Sequence, residues 1–547
     1  MPGGPPSNAR LPLSTGLLVF ILVAAVLAAY AACLQSGYVE FDDPMYILDN
    51  PHIYTGLSWP NIRWAFSAQA LSMGIWGPLT WLSHMTDCQL FGLMPLGHHL
   101  HSILLHAANA VLLFLLLYRG TGCRWRAFLV AALFALHPLN VENVAWLSER
   151  KSLLCMGWSL VAIGAYGWYA RRPSLSRYAA VFAAMTLALL AKPMAVTLPA
   201  VLLLIDEWPL RRLAGEARAW PSQRLRLLAE KLPLFALSAL FSWIAILAER
   251  HANAIGSVPA GQRLMNAAVS FVFYIEKMFW PSRLTCFYPF RAAALSPVRS
   301  IAAACLLLAV TALVLRLRRR RHLVFGWLLY LGTLVPVIGV MQIGSFARAD
   351  RYAYLPLIGL LVILVWELEA LARRLRLSRW WQGVAVALLL FALGLSTYRQ
   401  AGYWQDDLTL FQHAHDVTAP PDAYLETDLA SALRDRARFR EADVYYRSAL
   451  ALDPSVFFTH YNLARNCERL GENDEALSAY RAALTHTHNA ELQARALSDI
   501  ATLCLRTGER EQARQALQDL VALNPANQVW RARLDALEGA GKPAKNP

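Results

Sequence analysis

Long apolar segments separated by short polar stretches fill the chain up to residue 402. A helix of ~20 apolar residues is long enough to cross the hydrocarbon core of a bilayer. The pattern therefore predicts an all-α, polytopic membrane helix bundle with about eleven spans. These spans are predicted near residues 11–33, 99–118, 127–146, 152–170, 178–191, 194–209, 231–248, 299–317, 323–342, 353–371 and 380–398.

Arginine-rich runs between the apolar segments set the predicted topology. The runs at 171–172, 211–226, 316–321 and 373–379 are expected on the cytoplasmic side, where basic loops collect. Counting from these loops makes segment 265–280 interfacial or re-entrant, and it puts the C-terminus outside. The first apolar run is longer than the roughly 7–15 residues of a signal-peptide core, so we expect it to be retained as a span.

A different pattern, with a period of 34 residues, follows residue 402. Leu429-Ala430 recurs as Leu463-Ala464, and a third copy begins at Ile500-Ala501 after a shift of 37. This period and its small-residue positions are typical of tetratricopeptide (TPR) repeats, which stack into an α-solenoid. The predicted organisation is a membrane domain at 1–402 with an external loop at 34–98, a connecting helix or half-repeat at 403–422, three TPR repeats at 423–535 and a disordered tail at 536–547.

Composition and charge agree with a membrane protein. Of the 547 residues, 57% are hydrophobic and 16% are charged, against about 25% charged in soluble domains. The net charge is +14, but the basic runs lie between spans, so we expect a lipid bilayer and no nucleic acid as partner. The eight cysteines form no CxxC pair, so they indicate neither a zinc site nor a disulfide framework.

Two adjacent carboxylates, Asp42 and Asp43, follow the first span by about nine residues. At a membrane surface such a carboxylate is able to take a proton from an acceptor hydroxyl during group transfer. The alternative is an ordinary turn, since Asp and the following Pro44 favour turns. The pair is predicted to be catalytic on a lipid-borne substrate.

The second polar cluster runs from His137 to Lys151, at the predicted external end of a span. Arg150 and Lys151 lie outside in this topology, against the positive-inside tendency. An anionic phosphate would explain them, and interfacial anchoring by Trp146 and arginine is the alternative.

Two further clusters carry isolated cations. Lys192 precedes a proline between two short spans, where a charge near membrane depth needs a partner. Arg348 and Arg351 have guanidinium forks suited to phosphate oxygens, with an internal arginine–aspartate pair as the alternative. The predicted phosphate ligands are Arg150, Lys151, Lys192, Arg348 and Arg351.

Histidines are dense between residues 84 and 106, at positions 84, 98, 99, 101 and 106. A metal shared with Asp42 or Asp43 is conceivable, but no tight ligand spacing supports one. Packing and hydrogen bonding are the favoured explanation. No metal ligand or cofactor is therefore predicted, and a divalent metal is left as an option.

The order of these clusters resembles the transmembrane-and-TPR O-mannosyltransferase (TMTC-type) family over nearly the whole chain. The motifs that carry the resemblance are Phe41-Asp42-Asp43-Pro44, Pro78 to His84, Gly97 to Leu100 with His106, His137 to Lys151, Lys192-Pro193, Trp280-Pro281 with Phe287 to Pro289, and Ala349 to Tyr352.

The resemblance implies a GT-C fold with the catalytic acid in the first external loop. It also implies a polyprenyl-phosphate sugar donor, a mannose-like hexose and a protein hydroxyl acceptor held by the TPR groove. Asp42 matches the first acid of the family's acidic pair. The remaining motif residues, implied to bind substrate, are His99, His137, Glu142, Trp146, Asp350 and Tyr352.

The sequence thus predicts an inverting glycosyltransferase of the bacterial inner membrane, with its active site and TPR domain in the periplasm. One alternative keeps the fold but transfers the sugar to a glycan or a lipid. A second alternative is a non-enzymatic membrane scaffold that recruits proteins through its TPR domain. A transporter is less favoured, because the two halves of the chain show no paired repeats.

Overall fold

Helices dominate the computed structural model, which describes residues 14–71, 76–212, 220–251, 258–339 and 345–539. The described strands are β1 (Tyr288–Pro289) and β2 (Phe346–Arg348), which pair antiparallel with Tyr288 opposite Arg348. The predicted all-α class is confirmed. The chain divides into two compact units, Met1–Asp406 and Asp407–Pro547.

Each predicted span of the first unit coincides with one or more helices. The α-helices of this unit are α1 (Thr15–Ala29), α2 (Pro51–Tyr54), α3 (Trp59–Ala65), α4 (Ala68–Leu71), α5 (Pro78–Phe91), α6 (Pro95–Thr121), α7 (Arg124–Ala135), α8 (Val141–Ala145), α9 (Arg150–Arg171), α10 (Leu175–Ala191), α11 (Leu198–Glu207), α12 (Trp220–His251), α13 (Ala260–Phe279), α14 (Pro297–Arg316), α15 (Arg321–Leu334), α16 (Pro356–Arg374) and α17 (Arg379–Gly402).

Fewer helices than predicted spans are individually long and apolar enough to cross a membrane. Among the described residues five helices qualify, or six when the bent pair α7 and α8 counts as one. Helices α1 and α10 are apolar but shorter. The five are Pro95–Thr121, Leu147–Arg171, Ser222–Arg250, Pro297–Arg316 and Arg379–Gly402. The total of about eleven spans stays a prediction. Residues 11–13 of the first predicted span and residues 340–342 of a later one lie outside the described part.

Two helix breaks bring polar residues into the bundle. The first break lies between α7 and the segment Pro138–Ala145, and the chain bends there by 58°. Pro138 at the break has no backbone N–H to continue the helix. The second follows α10, where Lys192 adopts an extended backbone before Pro193. Because the chain is not helical at these points, neighbouring side chains must satisfy its polar groups.

The predicted external loop folds as short helices around an aromatic core. Tyr46, Trp64 and Trp81 are all buried, and the rings of Tyr46 and Trp81 pack at a tilt of 37° with centroids 4.8 Å apart. Leu147, far along the chain, belongs to the same buried cluster. This packing joins the segment that carries Asp42 to the chain segment that carries the second polar cluster.

The second unit consists of helices packed in sequence. Glycine ends the helices Phe457–Leu470 and Ala490–Thr507: Gly471 and Gly508 have φ of +80° and +86°, a left-handed conformation that glycine adopts without steric cost. Cys467 and Cys504 are buried free thiols. The helices are α18 (Asp407–Val417), α19 (Ala423–Asp435), α20 (Phe439–Leu452), α21 (Phe457–Leu470), α22 (Asn473–Thr485), α23 (Ala490–Thr507), α24 (Arg510–Leu523) and α25 (Gln528–Gly539).

The last helix departs from one sequence-based expectation. Helix α25 extends to Gly539, whereas a disordered tail was expected from residue 536. Residues 540–547 of that tail lie outside the described part of the chain. The helix continues past 536 because Leu537 and Glu538 are good helix formers and no breaker precedes Gly539.

Candidate functional site

The two adjacent aspartates occupy different environments. Asp43 is buried and accepts hydrogen bonds from the backbone N–H of Val39 (3.1 Å) and from the backbone N–H and hydroxyl of Ser148 (3.0 and 2.6 Å). Burial raises the pKa of Asp43 to about 6, although these bonds oppose the shift. Asp43 therefore fixes the loop to the Ser148 segment, and its oxygens are already occupied.

Asp42 is half-buried, and its carboxylate forms no hydrogen bond with the described residues. Burial raises its pKa above the usual value, while the charges of Lys151 and Arg351 oppose the shift and that of Glu149 adds to it. A carboxylate with free acceptor positions and a raised pKa has the properties that a general base needs. Of the acidic pair, Asp42 alone has this character.

Three cations surround one buried carboxylate, that of Glu149. Its oxygens lie 3.2 Å from Lys151 Nζ, 2.9 Å from Lys192 Nζ and 3.6 Å from Arg351 Nε. Ser152 also donates its hydroxyl to Glu149. Buried cations are tolerated when they are paired, and Glu149 pairs all three. We call Glu149, Lys151, Lys192 and Arg351 the Glu149 cluster.

Glu142 holds Arg351 in the cluster. It accepts the backbone N–H of Arg351 at 2.7 Å and a second hydrogen bond from the guanidinium. Both side chains are nearly buried, at 3% and 9% exposure. The predicted substrate-binding residue Glu142 is thus already engaged, and its role in this geometry is to orient Arg351.

Aromatic rings cover the cations of the cluster. The Trp146 ring centroid lies 5.3 Å from Lys151 Nζ and 5.2 Å from the Arg351 guanidinium carbon. Tyr46 covers Lys151 from 4.7 Å, and Phe41, next to Asp42, packs on Trp146 at 4.9 Å. Cation–π attraction is effective within about 6 Å, so these rings both shield the cations from water and connect them to the Asp42 loop.

Lys192 is the most accessible cation of the Glu149 cluster. Its side chain is 13% exposed, against 5% for Lys151 and 9% for Arg351. Besides Glu149, it donates to the hydroxyl of Ser152 at 2.8 Å. The break before Pro193 releases the lysine from a helical backbone and turns it toward these partners.

Arg150, predicted to bind phosphate, is engaged elsewhere. It is fully buried, and its guanidinium donates to Asp87 (2.7 Å), to the Ser102 hydroxyl (2.9 Å) and to the His98 carbonyl (2.7 Å). A phosphate would have to displace these bonds. The geometry argues against the predicted contact and makes Arg150 a structural link between α5, α6 and α9.

Arg348 lies apart from the Glu149 cluster. Its guanidinium carbon is 4.8 Å from the Phe273 ring centroid, and it donates to Asn266 at 3.4 Å. Asp350 is buried and accepts a hydrogen bond from the Tyr288 hydroxyl at 2.9 Å. Tyr352 lies against Arg351, 5.2 Å from its guanidinium carbon. Of this motif, Arg351 therefore belongs to the Glu149 cluster, and Tyr352 contacts it through Arg351.

The two predicted substrate-binding histidines contact backbone carbonyls. The Nε2 atom of His99 lies 3.1 Å from the Gly37 carbonyl, and that of His137 lies 3.0 Å from the Met278 carbonyl. His137 Nδ1 also accepts the backbone N–H of Leu139. Both histidines are buried and hold the chain at positions flanking the site.

The sequence reasoning missed Glu149, the centre of the cluster. A signal was present: Glu149 directly precedes two basic residues beside an apolar span, where an unpaired charge is costly. The sequence gives no sign, however, that Lys192 and Arg351 approach the same carboxylate, because both lie far from it along the chain.

Comparisons with known proteins agree with the predicted resemblance. A family model described as tetratricopeptide repeat matches residues 456–526. The protein O-mannosyl-transferase Tmtc3 of Drosophila melanogaster is 24% identical over 544 residues, which cover 85% of this chain and 58% of that protein. TMTC3 of Mus musculus is 24% identical over 84% of this chain and 54% of its own length.

A shorter match reaches a higher identity. Tmtc1 of Drosophila melanogaster is 33% identical over 159 residues, 28% of this chain and 18% of that protein. The chain spans about half the length of the first relatives named above. The resemblance predicted from the motifs is confirmed: the chain is similar to the TMTC-type proteins over most of its length, and it has apolar helices and a TPR region.

Proposed function

We propose that this TMTC-type relative is an inverting glycosyltransferase. It moves a sugar, a mannose-like hexose, from a polyprenyl-phosphate donor to serine or threonine hydroxyls of proteins. The observation that carries the proposal is the half-buried Asp42 carboxylate. It forms no hydrogen bond within the described residues, and it lies close enough to Lys151 and Arg351 for their charges to act on its pKa. The names of the relatives, all protein O-mannosyl-transferases, support the same reaction class.

Asp42 acts as the general base in this proposal. It takes the proton of the acceptor hydroxyl as the oxygen attacks the anomeric carbon of the sugar. The bond between that carbon and the phosphate oxygen breaks at the same time, and the phosphate leaves with the electron pair. A single displacement of this kind inverts the configuration at the anomeric carbon.

The Glu149 cluster binds the phosphate of the donor. Its three cations and the two carboxylates of Glu142 and Glu149 leave one net positive charge. A sugar phosphodiester carries one negative charge, which these cations attract. Negative charge grows on the phosphate as the sugar leaves, and cations held beforehand by Glu142 and Glu149 stabilise it without reorganising. Lys192, the most exposed cation, makes the first contact with the donor phosphate.

The TPR unit holds the acceptor protein. A cavity of about 610 Å³ opens in this unit between α23 and the chain around α25. Charged and aromatic side chains line it, among them Glu491, Arg495, Asp499 and Trp530. Such a lining suits an extended polar peptide, which helical repeat arrays bind on concave surfaces. In the topology proposed here, the active site and the TPR unit both face the periplasm.

The test compares three forms of the full-length protein expressed at matched levels: wild type, Asp42→Asn and Asp49→Asn. Asp49 is an exposed acid of the same loop, seven positions on, and serves as the matched control. Mass spectrometry of envelope proteins should find a hexose on serine or threonine peptides in wild type and Asp49→Asn. Asp42→Asn should lose it, because general-base catalysis contributes typically about 10²–10⁴-fold.

The other functions predict different results. If the sugar appears on lipids or glycans instead of proteins, the acceptor assignment is wrong while the transferase remains. If no sugar depends on Asp42 and only deletion of the TPR unit has an effect, the chain is a scaffold. Retention of the protein glycans in Asp42→Asn would refute the catalytic assignment.

A further inference from the structure

A second group of titratable side chains contacts Arg150 and has no part in the proposed transfer. Helices α5 and α6 bring together His84, Asp87 and His98, all of them fully buried. One nitrogen or oxygen atom from each lies within 4.8 Å of the others. These residues come from the turn region around Gly92, where α5 leads into α6.

The hydrogen bonds of His98 fix the state of its ring. Its Nε2 lies 2.9 Å from the Gly92 carbonyl, which accepts only, so Nε2 carries the proton. In the neutral ring Nδ1 is then a lone pair. That lone pair faces Asp87 Oδ2 at 3.6 Å, an oxygen that is also an acceptor, and Nδ1 has no hydrogen-bond partner. Two facing acceptors repel unless a cation lies between them.

His84 adds a second unexplained group. Its side chain is fully buried, and neither ring nitrogen has a hydrogen-bond partner. Buried polar atoms are nearly always paired, because an unpaired one costs about 1–3 kcal/mol. A neutral imidazole keeps a lone pair on one ring nitrogen, so His84 has a donor atom available for a metal ion.

Asp87 supplies the negative charge. Its Oδ2 accepts a hydrogen bond from the buried Arg150 guanidinium at 2.7 Å, and its Oδ1 lies 2.5 Å from His101 Nδ1. A carboxylate paired with a buried guanidinium carries the compensating negative charge. The positive charge of Arg150 repels a second cation beside the same carboxylate. An ion that is held mainly by imidazole nitrogens therefore suits the site better than one that depends on carboxylate oxygens.

We propose that His84, Asp87 and His98 bind a transition-metal ion of the Zn²⁺ class. Two imidazoles and one carboxylate are a known donor set for Zn²⁺ with a fourth position open. The bond from His98 Nε2 to the Gly92 carbonyl is the kind of outer contact that metal-binding histidines make. Calcium and magnesium prefer oxygen ligands and do not fit this set.

The ion has a structural consequence for the catalytic loop. It clips α5 to α6 across the Gly92 turn. The Tyr38 ring packs edge-on against His98 at 5.8 Å, and neighbouring His99 contacts the Gly37 carbonyl. The chain that leads to Asp42 therefore rests on the metal-bound helix end.

The experiment measures Zn²⁺ bound to the full-length protein in detergent. The metal-stripped protein is incubated with Zn²⁺, passed through a desalting column and analysed by elemental mass spectrometry. Wild type should retain about one Zn²⁺ per chain, and His84→Gln and His98→Gln should lose it. His106→Gln is the matched control, because His106 lies on the same α6 but both its nitrogens are satisfied by Tyr354 and the Ala135 carbonyl.

Thermal unfolding provides a readout that needs no variant. Zn²⁺ should raise the Tm of the stripped wild type in a saturable way, since an ion that binds only the folded state stabilises it. Mg²⁺ should have no such effect. The proposal is overturned if wild type retains no more Zn²⁺ than His84→Gln, or if Zn²⁺ fails to raise the Tm of the stripped wild type.

Discussion

Arg351 donates two hydrogen bonds to Glu142 across 209 positions of sequence, one from its backbone and one from its guanidinium. The pair joins the segment after the α7 break to the segment before α16. Because both partners are nearly buried, each is needed to compensate the charge of the other. The same guanidinium reaches Glu149, so the pair sets the position of a cation in the proposed phosphate site.

A double-mutant cycle should detect this coupling. Arg351→Met alone leaves Glu142 buried without its partner, and Glu142→Gln alone leaves the arginine less compensated. Breaking a buried pair on one side costs about 3–5 kcal/mol, so the Tm of either single variant should fall strongly. The double variant should be less destabilised than the sum of the two. Additive losses of stability would contradict the pairing.

The pH dependence of transfer should follow Asp42. The base must be ionised to accept a proton, and its pKa is raised above 3.8 by burial. Activity should therefore be lost as the pH falls through a value above 3.8, with the midpoint read from kcat/KM. Asp42→Asn should lack this acidic limb in whatever activity remains. A limb at or below 3.8 in the wild type would contradict the assignment.

Asp43 should affect stability and its pH dependence instead. Its pKa is about 6 in the folded protein and 3.8 in the unfolded chain, so the folded state holds the extra proton between these values. Its contribution to stability is full below pH 3.8 and is lost as the pH rises to about 6, a change on the order of 2–3 kcal/mol. Thermal unfolding across this range should show a slope that Asp43→Asn removes.

Donor use should depend on Lys192 more than on Arg348. Lys192→Met removes a charge-assisted bond worth about 1.5–3 kcal/mol, so the KM for the donor should rise by about tenfold or more. Lys192→Arg should retain part of the effect, since the charge remains. Arg348→Met is the comparison, because its cation contacts Phe273 and Asn266 outside the cluster. Equal effects on KM would contradict the proposed order.

Stability of the TPR unit should depend on the left-handed conformation of Gly471. A φ of +80° strains any residue with a Cβ atom, so Gly471→Ala should destabilise the unit by about 1 kcal/mol. Gly471→Asn should cost less, because asparagine tolerates this conformation better. Denaturant unfolding of the full-length protein, monitored through the transition of the TPR unit, would distinguish the alanine variant from the asparagine variant. Equal stability of wild type and Gly471→Ala would contradict the prediction.

The sequence by itself determined the architecture. Apolar runs located the helices of the first unit, because a helix buried in lipid or in protein needs apolar side chains. The period of 34 residues located the TPR helices. It also pointed to Asp42, Lys192 and Arg351, through charges placed where a charge is costly. These signals are local, so they are readable from the sequence without knowledge of the fold.

Only the tertiary structure decided which partner each of two neighbouring residues contacts. Arg150 and Lys151 are adjacent in sequence, yet Arg150 pairs with Asp87 and Lys151 with Glu149. Asp42 and Asp43 differ in the same way: within the described residues the Asp42 carboxylate has no hydrogen bond, whereas the Asp43 carboxylate is bonded to Ser148. Successive residues on a helix point about 100° apart, so what each side chain meets depends on which distant segment packs against that face, and no local pattern records that choice.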